Sequence, residues 1–333
     1  MKAFTYHKYG SPEELTLVEV PQPRPKADEL LIRIQATSLN ASDWEILTGN
    51  PFYARIFGLF TPGHPILGSD IAGVVEAVGD TVTGFKVGDR VFGDSFGHFG
   101  GFAEYVCMRR TEVTPIPAGL SFAEAAALPQ AGVAALQALG NAGKLRAGQH
   151  VMINGGGGSV GCFAIQIAKR LGAEVTGVDH GGKLAVMRRI GADHVIDYET
   201  QDFVAGGPEF DLIVDVMAHR SILSYWRVLR PGGVYLMLGG TMGCLLQSLL
   251  LGPLISLLSS KKMGLTGHRQ NQQDMADLAR QSVAGELHPV IDRCYPFDQI
   301  PQALLRLGTA KAMGKVVIMQ GKNNAPCEWP DDS

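Results

Sequence analysis

The chain has 333 residues, 46% of them hydrophobic and 18% charged, which at roughly 150 residues per domain is enough for about two domains with their own cores. Its net charge of -3 gives no general attraction to nucleic acid. The five cysteines are scattered and have no paired spacing, which indicates reduced thiols in a cytoplasmic compartment rather than a disulfide framework.

The first third of the chain is predicted to be rich in β-structure. Turn signals such as Pro21-Gln22-Pro23 and Val87-Gly88-Asp89 separate runs of β-prone residues. The predicted strands are Leu15–Val20, Glu29–Ala36, Ile71–Val78, Arg90–Phe92 and Phe102–Cys107.

From about Ser121 the pattern changes to alternating helices and strands, beginning with a helical stretch over Ser121–Gly140. The predicted strands are Val151–Ile153, Val175–Val178, His194–Asp197, Leu212–Val214 and Val234–Leu238, followed later by Val290–Asp292 and Lys315–Met319. This alternation predicts an α/β fold with a doubly wound parallel sheet and right-handed crossovers. Gly321–Ser333 is predicted to be a loose polar tail.

One leucine-rich segment raises the question of membrane contact. Pro231–Ser260 contains no charged residue, and Leu245–Leu258 is rich in leucine. Gly239-Gly240 and Gly252-Pro253 interrupt the segment, so that no clean apolar stretch reaches the roughly 20 residues that a span needs. We therefore expect no membrane contact and predict an apolar helix that covers a substrate cleft or a subunit interface.

A glycine-rich loop joins the strand at Val151–Ile153 to the next helix. Gly156, Gly158 and Gly161 fit the pattern G-x-G-x-x-G, in which the glycines allow a tight turn, the approach of a pyrophosphate and close packing of helix on strand. The amides at the helix start would then face the anion. A glycine-rich turn without a ligand is the simpler alternative, since the chain contains 42 glycines.

The residues after the loop support nucleotide binding. Val160, Ala164, Ile167, Ala168 and Leu171 have the spacing of a helix with one buried stripe. Asp179 ends the following strand, where a dinucleotide-binding fold places the acidic residue that accepts hydrogen bonds from the adenosine ribose.

Several motifs, in the same order, resemble the medium-chain dehydrogenase/reductases, specifically their zinc-independent quinone oxidoreductase-like branch. They are Ala72-Gly73-Val74-Val75-Glu76-Ala77-Val78-Gly79, Val87-Gly88-Asp89-Arg90-Val91, Phe102-Ala103-Glu104-Tyr105, Gly191-Ala192-Asp193-His194-Val195-Ile196-Asp197-Tyr198 and Gly314-Lys315-Val316-Val317. The resemblance implies a GroES-like β-barrel catalytic domain at 1–121 that the chain rejoins at 288–320, a Rossmann domain at 122–287 and a tail at 321–333. It also implies a homodimer and an active site in an interdomain cleft.

The resemblance also implies where a coenzyme, NADPH or NADH, would bind. The candidate contacts are Gly156, Gly157, Gly158, Ser159, Val160, Gly161, Asp179, His180, Lys183, Tyr198, Leu238 and Gly239. Asp179 would bind a free ribose 2'-hydroxyl and repel a 2'-phosphate, which favours NADH. Most relatives in the branch resemble NADPH users, and Lys183 can neutralise a phosphate, so the resemblance favours NADPH slightly. A threonine that often contacts the coenzyme in relatives is absent near Ala134.

A catalytic zinc ion is not expected. Zinc-dependent relatives place a cysteine and then a histidine at positions that resemble Asn40 and Ser69 here, and the four-cysteine lobe is reduced to Cys107. We read His64 and His98 as loop or cleft-lining residues rather than ligands. Without a metal, the feasible chemistry is hydride transfer to a small apolar quinone or enone, whose conjugation already polarises it.

Three residues are candidates for catalysis by resemblance. Asn40 and Asp43 would lie beneath the nicotinamide, and the Tyr53 hydroxyl would bind the substrate or supply a proton. As alternatives, Asn40 and Asp43 would cap a helix that begins near Trp44, Tyr53 would only pack, and water would protonate the product.

Other protein classes fit less well. A short-chain dehydrogenase needs Tyr-x-x-x-Lys, which this sequence lacks, and a methyltransferase would leave the β-rich first third and Gly314-Lys315 unexplained. An NAD(P)-binding pathway partner or interaction protein with little turnover of its own stays open as the alternative function.

Overall fold

The computed structural model describes residues 1–205 and 209–321. The chain divides into two compact units. One consists of Met1–Val133 with the described part of Gln270–Ser333, and the other is Ala134–Arg269.

The elements follow one another in three groups along the chain. The first group is β1 (Lys2–Thr5), β2 (Thr16–Glu19), β3 (Glu29–Ser38), α1 (Ala41–Thr48), β4 (Asp70–Val78), β5 (Arg90–Asp94), β6 (Tyr105–Arg109), β7 (Val113–Pro115), α2 (Phe122–Ala127) and α3 (Pro129–Gln137). The second group is β8 (His150–Asn154), α4 (Ser159–Arg170), β9 (Glu174–Asp179), α5 (Leu184–Arg189), β10 (His194–Asp197), β11 (Phe210–Asp215), α6 (Ile222–Val228), β12 (Leu229–Met237), α7 (Met242–Leu258) and β13 (Lys262–Leu265). The third group is α8 (Gln272–Val283), β14 (Ile291–Pro296), α9 (Ile300–Gly308) and β15 (Lys315–Met319).

The unit that contains both ends of the described chain is built on a largely antiparallel sheet. Its strand order is β14-β15-β3-β4-β5-β7, and β6 also pairs with β3. The long strand β3 holds the sheet together, because alternate residues such as Leu30, Ile32 and Ile34 point into one apolar cluster. The antiparallel pairing of β15 with β3 sets Val317 opposite Ser38, which brings residues from the two ends of the chain side by side.

The middle unit is a parallel six-stranded sheet with the order β10-β9-β8-β11-β12-β13. The chain moves outward from β8 through β9 to β10, and then returns to β11 on the other side of β8. The carboxyl ends of β8 and its neighbours therefore flank a topological switch point, where open α/β sheets bind ligands. The predicted doubly wound fold is confirmed.

Most predicted elements are present with small shifts in their ends. The helical stretch predicted from Ser121 is divided between α2 and α3, and β6 begins three residues later than predicted. Sequence reasoning missed β1, β7 and the edge strand β13. The predicted apolar helix is present as α7, and it continues through Pro253. Within the described residues, no helix has both the length and the apolar character needed to cross a membrane.

The cysteines only partly follow the expectation of reduced thiols. Cys107, Cys162 and Cys244 are free thiols. Cys294 is disulfide-bonded, so the expectation is wrong for this residue. Cys327 lies outside the described residues.

Candidate functional site

The glycine-rich loop between β8 and α4 exposes backbone in place of side chains. Gly155 begins the turn with a φ of +84°, a conformation that favours glycine. Gly158 is the N-cap of α4 and offers no side chain to cap it, and Ser159 and Val160 form the first turn of the helix. The amides at this helix start therefore suit an anion such as a diphosphate.

Three glycines of the loop have a specific packing reason. A Cβ atom on Gly161 would lie 2.1 Å from the carbonyl oxygen of Gly155, so the helix can pack on the loop only without a side chain there. A Cβ on Gly156 would lie 2.6 Å from the sulfur of Met187, and one on Gly157 would lie 2.7 Å from Cβ of Lys183. The loop therefore keeps its packing against α4, Met187 and Lys183 only without these side chains, and its binding of a coenzyme diphosphate stays a prediction.

Asp179, the last residue of β9, holds the loop from below. Its Oδ2 accepts a hydrogen bond from the Gly157 amide at 2.9 Å, and its Oδ1 accepts one from the His180 amide at 2.8 Å. The ammonium of Lys183 lies 3.6 Å from Oδ1, and both side chains are largely buried. Asp179 and Lys183 therefore form a partly neutralised pair that supports the loop.

The other predicted coenzyme contacts lie at the same edge of the sheet. Tyr198 follows β10, and its backbone amide donates to the Asp179 carbonyl at 3.3 Å. The centroid of its ring lies 6.4 Å from that of the His180 ring. Leu238 and Gly239 follow β12, two strands from β8 in the sheet. The Leu238 amide donates to the carbonyl of Asp215 at 2.9 Å.

Sequence reasoning missed a buried polar cluster beneath the loop. Asp215, at the end of β11, accepts hydrogen bonds from Asn154 Nδ2 at 2.7 Å and from the Tyr235 hydroxyl at 2.9 Å. Burial raises the pKa of Asp215, and the hydrogen bonds from Tyr225, Asn154 and Tyr235 oppose the rise. Since Asn154 directly precedes Gly155, the cluster fixes the point where the loop leaves the sheet.

In the other unit, Asn40 and Asp43 lie at the start of α1, which begins at Ala41 rather than near Trp44. Asp43 Oδ2 accepts the Asn40 amide at 2.8 Å, and Oδ1 accepts the Gly68 amide at 3.1 Å. The predicted helix-capping role is therefore present in Asp43. Complete burial raises the pKa of Asp43 to about 7, although its two backbone hydrogen bonds favour the charged form.

A buried ion pair stands beside Asn40. Lys315, the first residue of β15, donates from Nζ to Asn40 Oδ1 at 2.7 Å and to Asp70 Oδ2 at 3.0 Å. Both Lys315 and Asp70 are fully buried. Sequence reasoning quoted Gly314-Lys315 only as a family motif and did not connect it with Asn40.

Asn40 is also in contact with Ser69, the second position examined for zinc. Asn40 Nδ2 donates to Ser69 Oγ at 3.3 Å. An amide and a hydroxyl that bond each other thus occupy the two positions where the family resemblance implies a cysteine and a histidine in zinc-dependent relatives. In residues 1–205 and 209–321, no three His, Cys, Asp or Glu side chains are grouped so that they could hold a metal ion.

Tyr53 lies in a short helical turn at Phe52–Phe57, after α1. Its hydroxyl is 3.5 Å from Oε1 of Glu45, a half-buried residue of α1 that sequence reasoning missed. Burial raises the pKa of Glu45 to about 7. Burial and the nearby Glu45 raise the pKa of Tyr53 to about 12.

Two family models match the chain. Residues 26–118 match the alcohol dehydrogenase GroES-like domain, and residues 190–318 match a model described as zinc-binding dehydrogenase. A 2-methylene-furan-3-one reductase from Solanum lycopersicum is 33% identical over 96% of this chain and 79% of its own length. A quinone oxidoreductase from Rattus norvegicus is 30% identical over 96% of this chain and 98% of its own.

The fold gives the same relationship. The structure of the quinone oxidoreductase from Coxiella burnetii is similar with a TM-score of 0.86, at 29% identity, over 96% of this chain and 99% of that one. The antiparallel sheet unit is GroES-like, and the parallel sheet unit is a Rossmann domain. The chain therefore belongs to the medium-chain dehydrogenase/reductases, a family of oxidoreductases, in their quinone oxidoreductase-like branch.

Proposed function

We propose that this chain transfers hydride from NADPH or NADH to a small apolar quinone or α,β-unsaturated carbonyl compound, without a catalytic zinc ion. The observation that carries the proposal is the bare backbone loop at the start of α4, held by Asp179 at a topological switch point. The names of the two relatives, a quinone oxidoreductase and a furanone reductase, support this class of acceptor.

Asn40 and Ser69, at the two positions where the family resemblance implies zinc ligands in zinc-dependent relatives, favour a route without zinc. A Lewis-acid zinc site needs three protein ligands, usually from cysteine, histidine or carboxylate groups. Asn40 and Ser69 offer an amide and a hydroxyl, and Asn40 Oδ1 already accepts a hydrogen bond from the ammonium of Lys315. An acceptor that conjugation already polarises needs no such metal.

A bound reduced nicotinamide supplies the hydride, and the chain supplies position and hydrogen bonds. We assign to Asn40 Nδ2 the hydrogen bond to the acceptor oxygen that gains negative charge. Asp43 holds the backbone of Asn40 and of Gly68, and so keeps the start of α1 in place.

We assign proton delivery to the Tyr53 hydroxyl. Glu45 lies beside it, and with a pKa of about 7 its carboxyl group holds a proton in part of the molecules near neutral pH. Tyr53 would give its proton to the reduced product and recover one from Glu45. Tyr53→Phe should then slow the reduction of enones, while Phe preserves the shape of the ring.

The test is steady-state oxidation of NADPH and of NADH with a panel of quinones and enones, followed by the absorbance of the reduced coenzyme, with and without a metal chelator. Turnover of at least one quinone or enone that the chelator does not affect is expected. Tight coenzyme binding with no acceptor reduced would overturn the proposal in favour of a binding partner with little turnover. Loss of turnover with the chelator would overturn the zinc-free route.

The homodimer stays a prediction of the family resemblance, and the cytoplasmic location stays a prediction from the cysteine pattern. Sedimentation of the purified chain tests the first, and a sedimentation coefficient of a monomer at the assay concentration would contradict it.

A further inference from the structure

A positive charge is fixed inside the protein next to the amide of Asn40. Lys315 is 0% exposed, and its Nζ donates hydrogen bonds to Asn40 Oδ1 at 2.7 Å and to Asp70 Oδ2 at 3.0 Å. The backbone cannot move this charge away, because the Lys315 amide donates to the Val290 carbonyl and the Leu39 amide donates to the Val316 carbonyl. The register of β15 against β3 thus holds Lys315 facing Asn40.

Asp70 locks the ammonium from the other side. Its Oδ2 also lies 3.2 Å from the Ser38 hydroxyl, which is 2.7 Å from the Ala126 carbonyl oxygen, and its Oδ1 accepts a hydrogen bond from the Gln130 backbone amide at 3.1 Å. With donors on both oxygens, the carboxylate cannot rotate without losing hydrogen bonds in a fully buried place. The ion pair therefore has one orientation.

Stability alone does not explain such a pair. Removing two charges from water costs more than their attraction returns in many proteins, and well-packed apolar residues often replace a buried ion pair at no loss. Asp43 and Asp94 are also buried nearby, and Lys315 favours the charged form of both, so offsetting these carboxylates is one part of its role. Offsetting carboxylates does not by itself require the contact of Lys315 with Asn40.

The contact of Lys315 decides how the Asn40 amide is turned. The two ends of an asparagine amide have nearly the same shape, but only the oxygen can accept a hydrogen bond from an ammonium. Lys315 therefore directs Nδ2 to the opposite side, where one of its hydrogens is given to Ser69 Oγ at 3.3 Å. A cation at the oxygen also draws electron density from the amide and makes its N–H groups stronger donors.

We propose that Lys315 is a positioning residue that orients and polarises the Asn40 amide, so that Asn40 Nδ2 stabilises negative charge on the oxygen of the substrate during hydride transfer. This inference rests on the proposed function, in which Asn40 touches the acceptor. Asp70 holds Lys315 in place, and Asn40 is the group that acts on the substrate.

The experiment compares Lys315→Met, the double variant Lys315→Met with Asp70→Asn, and Lys311→Met as a matched control at an exposed lysine on the same segment. For each protein, the quantities to measure are kcat and KM for a quinone and an enone, the Kd of the coenzyme, and the urea midpoint of unfolding. Lys315→Met leaves Asp70 buried and without its cation, so it should destabilise the fold. The double variant removes both charges and should recover much of the midpoint.

Turnover should not recover with stability. We expect kcat of the double variant to stay about 10- to 100-fold below that of the parent chain. Complete loss of one hydrogen-bond donor to a developing oxyanion lowers kcat by about 10²–10³-fold, and a donor that is only weakened should have part of this effect. Coenzyme Kd should change by less than about twofold, since the coenzyme loop lies in the other unit. A double variant with kcat within about twofold of the parent chain would make Lys315 purely structural and overturn the inference.

A readout that does not depend on turnover separates this inference from the proposed function. In protein labelled with ¹⁵N-asparagine, assigned with Asn40→Ala, the side-chain amide protons of Asn40 should move upfield in the double variant, because they lose the polarising ammonium. Unchanged Asn40 signals would refute the polarisation. If the parent chain reduces no acceptor, the proposed function fails, while these signals still decide whether Lys315 polarises Asn40.

Discussion

Asp43 should make the folded protein less stable as the pH rises through neutrality. Its carboxyl group is fully buried, and burial raises its pKa from an ordinary value of 3.8 to about 7. Between these two values the folded chain keeps a proton that the unfolded chain has released. The free energy of unfolding therefore falls as pH rises, by about 1.4 kcal/mol per pH unit, and the loss is complete above the folded pKa.

The magnitude follows from the two pKa values. Between pH 5 and pH 8 this one group should lower the free energy of unfolding by about 2.5 kcal/mol. Burial also raises the pKa of Asp94, so Asp94 acts in the same direction and adds to the total. The comparison of the parent chain with Asp43→Asn isolates the contribution of Asp43, because the asparagine does not titrate.

The assay is urea unfolding of both proteins at several pH values from 5 to 8. Asp43→Asn replaces one carboxylate oxygen with an NH₂ group, which then faces one of the two backbone amide donors, Asn40 or Gly68, so its stability should be lower by a constant amount. The informative quantity is the slope against pH, which should be shallower in the variant by the full contribution of Asp43. Parallel curves for the two proteins would show that Asp43 is ionised in the folded state at these pH values and would refute the argument.

Three further predictions concern the Rossmann unit. Gly161→Ala should weaken coenzyme binding by more than about tenfold in a fluorescence titration, because the new Cβ atom would collide with the Gly155 carbonyl oxygen. Gly264→Ala is the control and should bind the coenzyme normally, because a Cβ atom there has no neighbour within 4 Å. Asp179→Ser should shift the ratio of kcat/KM for NADPH over NADH upward by about tenfold or more, and an unchanged ratio would remove Asp179 from coenzyme choice. Tyr235→Phe removes the 2.9 Å hydrogen bond to the buried Asp215, so urea unfolding should show a free energy of unfolding lower by about 1.5–3 kcal/mol. No change in this free energy would mean that the hydrogen bond does not stabilise the fold.

The Rossmann unit could be predicted in detail because its signals are local. The glycine motif, the apolar stripe of α4 and Asp179 at the end of β9 lie within one strand-helix-strand segment, where spacing alone sets their geometry. The edge strand β13 has only four residues, Lys262–Leu265, and one of them is glycine. Lysine and glycine, which are depleted in strands, occupy two of its four positions, so the local sequence does not favour a strand and only its pairing with β12 defines it.

The candidate catalytic region could be predicted only in part because its contacts are distant in sequence. The resemblance selected Asn40, Asp43 and Tyr53, but nothing within the chain signals that Lys315 meets Asn40, 275 positions away. That contact depends on the pairing of β15 with β3, which no local pattern specifies. Glu45 was missed for another reason, since a glutamate in a short helix is ordinary until burial and a neighbouring tyrosine change its pKa.

The structural and proposed catalytic duties of Asn40 do not compete, because they use different atoms. The backbone amide bonds to Asp43 and anchors α1, Oδ1 bonds to Lys315, and Nδ2 faces Ser69. Helix capping alone would require only the first of these contacts. The buried ion pair behind Oδ1 makes no hydrogen bond to the capping groups, although Lys315 favours the charged form of Asp43, and the effect that we propose for it falls on the N–H groups at the other end of the amide. A residue that only capped the start of a helix would not need this arrangement, which is why Lys315, rather than the cap, is the better place to test what Asn40 does.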